Sequence, residues 1–343
     1  MRLALTALAA ALLLAGCGEQ APPADAADAG PTLVVYTARN EQLVRPLFER
    51  YTAETGVRIE YMTDKEAPLM ERLAAEGATS PADVLITVDA GNLWQAAERG
   101  LLRPLASPVL EGAIPAHLRD PQGRWFGLSV RARTVIYNRD RLPAEEAPAT
   151  YAELATPEWQ GRLCLRSANK VYNQSLVAMT IAAEGEAAAD AMVRGWVANL
   201  AAPPFASDDE VIQAVAAGRC DVGIVNTYYL GRLQRDTPGL PVAIAWPDQG
   251  EGQRGVHVNV SGAGVTTHAP HPAEAQAFIE WLSLSTAQAM FAAENLEYPA
   301  NPNVPVATPV RAWGTFRADT GDISRAGALQ ADAVRLMDAA GYR

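Results

Sequence analysis

Cysteine and histidine are scarce in this chain. Its 343 residues hold three cysteines and four histidines, His117, His257, His268 and His271. A zinc or copper site built from imidazole and thiolate needs such side chains in groups. The nearest pair, in "HAPHP", spans a proline-containing turn rather than a helix face, so no metal is expected there. Positive charge is short as well: 28 Lys and Arg stand against 39 Asp and Glu, a formal net charge of −11. That balance excludes a nucleic-acid partner, which requires cations to neutralise phosphates. It leaves open a small anion or a cation held in one local site. There is no Gly-x-Ser-x-Gly elbow and no histidine patterned near a cysteine, so the usual beginnings of a hydrolase are missing. No apolar run is long enough to span a membrane.

The longest apolar run opens the chain. Arg2 supplies a minimal positive start, and residues 3–15 are apolar apart from Thr6, the length of a secretory signal core. The run ends in Leu14-Ala15-Gly16-Cys17, which resembles the lipobox of bacterial lipoproteins. By that resemblance residues 1–16 are removed and the Cys17 sulfur carries lipid. The membrane is then met through the lipid anchor only, and the mature chain carries −12. Residues 17–31, rich in Ala, Pro and Asp without apolar period, read as a flexible tether. Export puts Cys164 and Cys220 in an oxidising compartment, where a disulfide is expected and two reduced buried thiols are the alternative.

The remaining chain alternates. "TLVVYT", "VRIEYM" and "ADVLITV" read as strands, separated by the helical stripes of "EQLVRPLFERYTAETG" and "LMERLAAEG" and followed by "NLWQAAERGLL". This βαβαβα order implies a parallel sheet with right-handed crossovers. After "RWFGLSVRARTVIYNRDRLP" the alternation restarts, with "GRLCLRS", "VYNQSLVAMTIAAEG", a Ser207/Glu210 capping box, "RCDVGIVN" and "YYLGRLQRD". "VHVNVSGAGVT" reads as a returning strand, with helices after it. The expected class is α/β and bilobal: lobe one from residues 32–132, lobe two from 133–261, and 262–343 returning to lobe one with C-terminal helices. Two crossing strands form the hinge. Ligands of open α/β sheets sit beyond the carboxyl ends of strands, here the cleft between lobes.

Two adjacent tyrosines, Tyr228 and Tyr229, follow the strand "DVGIVN". On a strand they would point to opposite faces. With Asn226 as cap they fall in the first turn of a helix, where neighbours diverge by only about 100°. The helix N-terminus also favours phenolate over phenol. Upstream, "RSANKVYNQS" repeats the arrangement, with Asn169 as a possible cap and Tyr172 in the opening turn. Three phenol oxygens facing one point suit a hard trivalent cation such as Fe³⁺. The alternative is packing and hydrogen bonding, the commoner role of paired tyrosines.

Taken together, "VVYTARN", "SPADVLITVDAG", "SVRARTVIYN", "CLRSANKVYNQSLVA", "CDVGIVNTYYLGRL" and "LEYPANP" resemble the ferric-ion-binding periplasmic proteins of bacterial ABC importers, in family order over nearly all of the mature chain. The resemblance implies a type II periplasmic binding fold, ferric iron as cargo and an ABC permease as partner. It implies no enzymatic step, a monomer, and a periplasmic location tethered by lipid. Tyr172, Tyr228 and Tyr229 match iron-ligand tyrosines, and Arg39 and Arg131 match positions near the anion or metal. Asn40 and Glu41 stand where some members place a ligand histidine and a further tyrosine, and Val88 stands where others place a carboxylate. Asp89 remains as a residue that could orient Arg39 or a phenol from behind, and Tyr36 and Glu41 as possible extra ligands. Arg133, on the same strand face as Arg131, is read as that arginine's companion or as a surface or hinge ion pair. Three phenolates neutralise Fe³⁺ and leave Arg39 and Arg131 uncompensated, so a small anion such as carbonate is expected to complete the shell. Two other readings compete: capture of an oxyanion or small organic ligand, and a thiol hydrolase using Cys164 or Cys220.

Overall fold

The computed structural model describes residues 31–343, so the signal, Cys17 and nearly all of the tether lie outside the described residues. The first unit runs β1 (Thr32–Thr37), α1 (Glu41–Thr55), β2 (Arg58–Thr63), α2 (Glu66–Glu76), β3 (Val84–Val88), α3 (Ala90–Glu98) and the short α4 (Pro108–Ala113). Helix α1 stops at Gly56, whose φ of 76° is a left-handed cap that glycine adopts without a Cβ penalty. β1 pairs in parallel with both β2 and β3. The apolar runs of β1 and β3 are buried to within a few residues of their ends, as strands covered on both faces require.

The two lobes share one strand. β4 (Phe126–Asn138) is buried along all thirteen residues. Its first half pairs with β8 (Val258–Val265) in lobe one, and from Arg133 onward it pairs with β6 (Val222–Asn226) and β7 (Val242–Ala245) in lobe two. Lobe two also holds β5 (Leu163–Cys164), α5 (Val171–Glu184), α6 (Glu186–Ala198), α7 (Asp208–Ala216) and α8 (Thr227–Asp236). The strand order is β2-β1-β3-β8-β4-β6-β5, with β7 and the two-residue β9 (Tyr298–Pro299) also against β4. α9 (Pro272–Ser283) and α10 (Ser285–Asn295) then pack into the lobe-one core through Phe278, Ile279 and Phe291.

Two features differ from the sequence expectation. Every residue of β8 pairs with lobe-one strands, so the second crossing lies just before Val258 rather than at 261. Beyond the short α11 (Thr308–Arg311) and α12 (Arg325–Ala328), helix α13 (Gln330–Ala339) does not stay with lobe one. Ala333, Leu336, Met337 and Tyr342 are buried in the lobe-two core beside Leu176 and Val177 of α5. An amphipathic stripe states that a helix must cover something, not which of two cores it covers. Cys164 and Cys220 form a disulfide, with Sγ atoms 2.08 Å apart, tying the end of β5 to the segment that enters β6. No described helix is long and apolar enough to cross a membrane.

Candidate functional site

Tyr228 and Tyr229 occupy the first turn of α8, and Tyr172 the first turn of α5. The helical setting brings the adjacent pair together, with ring centroids 4.4 Å apart and planes tilted by 33°. The Tyr228 hydroxyl donates to that of Tyr172 at 3.2 Å. All three rings line one cavity of about 230 Å³, with Arg39, Asn40, Val88, Arg131, Lys170, Arg232 and Glu297 around it.

The caps were expected to be asparagines, and neither caps. Asn226 holds the N-cap position of α8, but its side chain makes no capping bond. It turns inward and accepts from Arg133 Nη1 at 3.2 Å. Asn169 lies one residue too early, because Lys170 is the N-cap of α5. The Ser207 box does form: Ser207 Oγ accepts from the Glu210 amide at 3.2 Å, while Glu210 reaches back to the amide of Ala206 at 2.9 Å.

What fixes the two tyrosine turns is Arg133. Its buried guanidinium donates to Asp208, to Asn226 beside Tyr228, and to Asn173 beside Tyr172. Asp208 in turn accepts from the Asn226 amide at 3.0 Å, and Arg166 stands 3.7 Å from its other oxygen. Arg133 is therefore neither a surface residue nor a companion to Arg131, but makes the ion pair expected of a hinge, with Asp208 at 3.2 Å where β4 crosses between lobes. It clamps the strand ends from below. Nothing in the spacing of Asp208, 75 residues away, signals this contact.

Around the phenols the field is cationic. The guanidinium of Arg131 lies 5.3 Å from the centre of the Tyr172 ring and the Lys170 ammonium 4.8 Å from it, while Arg232 sits 5.0 Å from that of Tyr228. Burial raises the Tyr172 phenol to about 12 and holds Tyr228 well above its ordinary value, with Arg131 pulling the other way on both. These buried phenols thus stay protonated at neutral pH.

Lobe one presents few free donors. Glu41 is engaged with Arg45 and accepts from the Tyr61 hydroxyl at 2.8 Å. Tyr36 faces away from the cavity, hydrogen-bonded to Glu76 at 3.0 Å and to Arg72 at 3.2 Å. Asn40 lines the cavity from an exposed position. Asp89 is wholly buried: it caps α3 through the Gly91 amide and accepts from Ser175 at 2.7 Å and Asn259 at 2.8 Å. It stands 3.9 Å from Arg131 and has no bond to Arg39. The strand end that offered a carboxylate thus turns Val88 into the cavity and Asp89 into the helix.

Arg39 is not uncompensated. It pairs with Glu297 at 3.3 Å, both groups being buried, and donates to Ser261. Glu297 lies within "LEYPANP", where no local pattern marks it as a charge partner. Arg131 is compensated more loosely, its Nη2 3.9 Å from Asp89. It is 2% exposed, donates to Ser261 at 3.1 Å, and leaves its buried Nε and Nη2 without a hydrogen-bond partner. His257 is buried at the lobe crossing, its backbone amide on the Tyr151 hydroxyl, and His271 stands beside Asp83. No group of three His, Cys, Asp or Glu able to hold a metal occurs among the described residues. With Cys164 and Cys220 joined, neither is available as the nucleophile of a thiol hydrolase.

Comparison with known proteins agrees with this geometry. A family profile described as bacterial extracellular solute-binding protein matches residues 79–325. Iron uptake protein A1 of Synechocystis is 41% identical over 348 residues, covering 99% of this chain and 96% of its own. The Fe(3+)-binding periplasmic protein of Serratia marcescens is 29% identical over 298 residues, 86% of each chain. Among solved structures, Trichodesmium IdiA (FutA) in complex with iron and citrate superposes with a TM-score of 0.87 at 40% identity, over 91% of this chain and 100% of that one. The chain therefore belongs to the bacterial extracellular solute-binding proteins, bilobal α/β receptors that hold a solute rather than transform it.

Proposed function

We propose that this protein captures ferric iron in the periplasm through the phenolates of Tyr172, Tyr228 and Tyr229 and delivers it to an ABC permease. The observation that carries the reading is the convergence of three phenols from two helix N-termini on one cavity, with the Tyr172 and Tyr228 hydroxyls 3.2 Å apart. Phenolate oxygen is a hard anionic donor, and three of them balance one Fe³⁺. Relatives named for iron uptake and Fe(3+) binding support the same cargo. Cys17, in its lipobox-like setting, holds the protein at the membrane by lipid.

The phenolates leave about three of six octahedral positions open. A small bidentate anion, carbonate among the candidates, fills two of them and accepts from the free Nε and Nη2 of Arg131. Titrating the metal-free protein with ferric citrate tests the whole reading. A visible phenolate-to-iron charge-transfer band should grow to one equivalent. No band, or a band unchanged in the Tyr228→Phe, Tyr229→Phe double variant, overturns it. Loading in carbonate-free buffer and then adding bicarbonate tests the anion: an identical band and affinity before and after would remove carbonate.

A further inference from the structure

Residues 295–297, the turn that leaves lobe-one helix α10, touch the tyrosine site through three successive side chains. Asn295 accepts from Arg232, the guanidinium that lies over the Tyr228 ring and within 5.9 Å of the centre of the Tyr229 ring. Leu296 is buried in one cluster with Tyr228 and Val310. Glu297 holds Arg39 and accepts from Ser129. No other segment described above reaches the tyrosine helix α8, the Arg232 cation and Arg39 from the lobe-one side at once.

The middle residue is conformationally out of place. Leu296 is the C-cap of α10 with φ 56° and ψ 39°, a left-handed position that glycine fills best and that costs a residue bearing a Cβ. The other non-glycine residues with positive φ among those described are Asp89 and Asp248, a residue type that tolerates it. Leucine gains nothing locally from this backbone. What it gains is a contact across the cleft: a Cβ built on Gly231 of α8 would lie 2.9 Å from Leu296 Cδ1 and 2.8 Å from Trp313 Cζ2. α8 thus meets lobe one with backbone at Gly231, and Leu296 fills that approach.

We infer that residues 295–297 are a latch from lobe one, and that Leu296 is a positioning residue that keeps α8 and its tyrosines against lobe one and so slows the release of cargo. Backbone strain in the latch is exchanged for burial against Tyr228. As a brake on iron release, the inference rests on the tyrosine reading above. As a contact between lobes it stands apart from that reading.

The test uses Leu296→Gly and Leu296→Asn, both suited to the left-handed backbone, in the purified full chain. Three quantities are measured: iron release to a competing chelator, the thermal midpoint without iron, and amide hydrogen exchange of α8 without iron. Both variants should unfold cooperatively at a thermal midpoint only modestly below wild type while releasing iron about tenfold faster and exchanging the α8 amides faster. Asn295→Ala, which frees Arg232, should speed release in the same direction. Wild-type release and exchange in both variants would overturn the latch. So would a fall in thermal midpoint that by itself accounts for the faster release. If the wild type shows no phenolate band at all, the tyrosine reading has failed, and the latch is judged by exchange alone: unchanged α8 protection then rejects it.

Discussion

The two faces of the cleft are built on different plans. Lobe two offers three phenols around one cavity, the Tyr228 hydroxyl bonded to that of Tyr172 and to Asn226, above a clamp of Arg133, Asp208, Asn173 and Asn226 that fixes both turns. Lobe one offers charges that are already spoken for: Arg39 by Glu297, Glu41 by Arg45, Asp89 by Ser175 and Asn259. One side thus carries protonated phenols and the other satisfied ion pairs. In the proposed reading donor chemistry belongs to lobe two, while lobe one contributes cations, the inferred latch and Arg131 Nε and Nη2.

The comparison is broken most directly by removing phenols. Tyr228→Phe with Tyr229→Phe should weaken ferric binding by more than about a hundredfold and erase most of the charge-transfer band, because no lobe-one oxygen stands in for them. Glu41→Gln and Tyr36→Phe should leave the band and the affinity at wild-type values. Competition against a chelator of known strength measures all three. An effect of Glu41→Gln approaching that of the tyrosines would move donor chemistry into lobe one.

Acidification separates the faces next. Without cargo, burial pushes Tyr172 up to about 12 and holds Tyr228 well above its ordinary value, so in the proposed reading both of these phenols must lose a proton when iron enters at neutral pH. Protons are released on binding, and affinity therefore falls as pH falls, by roughly one decade per pH unit for each phenol that ionises. Affinity measured against a chelator corrected for its own titration gives the slope. A flat profile from neutral to mildly acidic pH excludes phenolate ligation.

The satisfied pairs of lobe one should show themselves in stability rather than in colour. Glu297→Gln leaves Arg39 buried without a counter-charge and should lower the unfolding free energy of the iron-free protein by about 3 kcal/mol in urea titrations. The charge-transfer band should keep its position, since Glu297 donates nothing to the metal in this reading. A shifted band with unchanged stability would reverse the assignment.

These contrasts were unequally legible in the sequence. The tyrosines could be found because a βα turn puts its first helical residues at the strand end, a local rule that needs no partner. The disulfide followed from compartment and count. Glu297 could not be found as the partner of Arg39, because 258 residues separate them and no periodicity links the two. The "SVRARTVIYN" strand was visible, but not that it changes sheets between Ala132 and Arg133, which sends one arginine into the cleft and the other into lobe two. Asn226 was read as a cap by local propensity, and a buried guanidinium outbid the helix for its side chain. Local rules placed the tyrosines at one cavity. Their supports are tertiary.

The smallest expected effect concerns the crossing between the faces, and asks whether pH acts on the phenols alone. His257 is buried where β8 enters lobe one, its carbonyl accepting from the Arg133 amide and its own amide on the Tyr151 hydroxyl. Burial depresses its proton affinity well below the ordinary value of 6.5, and Arg254, Arg133 and Arg131 push in the same direction. The folded protein therefore keeps His257 neutral while the unfolded chain protonates it near 6.5. Between those two values the unfolded state binds more protons, so its stabilising contribution is complete above 6.5 and declines as pH falls. The decline cannot exceed about 1.4 kcal/mol per pH unit for one group. The iron-free wild type should lose thermal stability below pH 6.5, and His257→Gln should reduce that loss without altering the pH slope of iron affinity. If the variant keeps the wild-type acid profile of unfolding, the crossing is not the acid-sensitive element. If it alters the slope of iron affinity, then the crossing and the tyrosine turns titrate as one unit, and the division between the two faces does not hold at their junction.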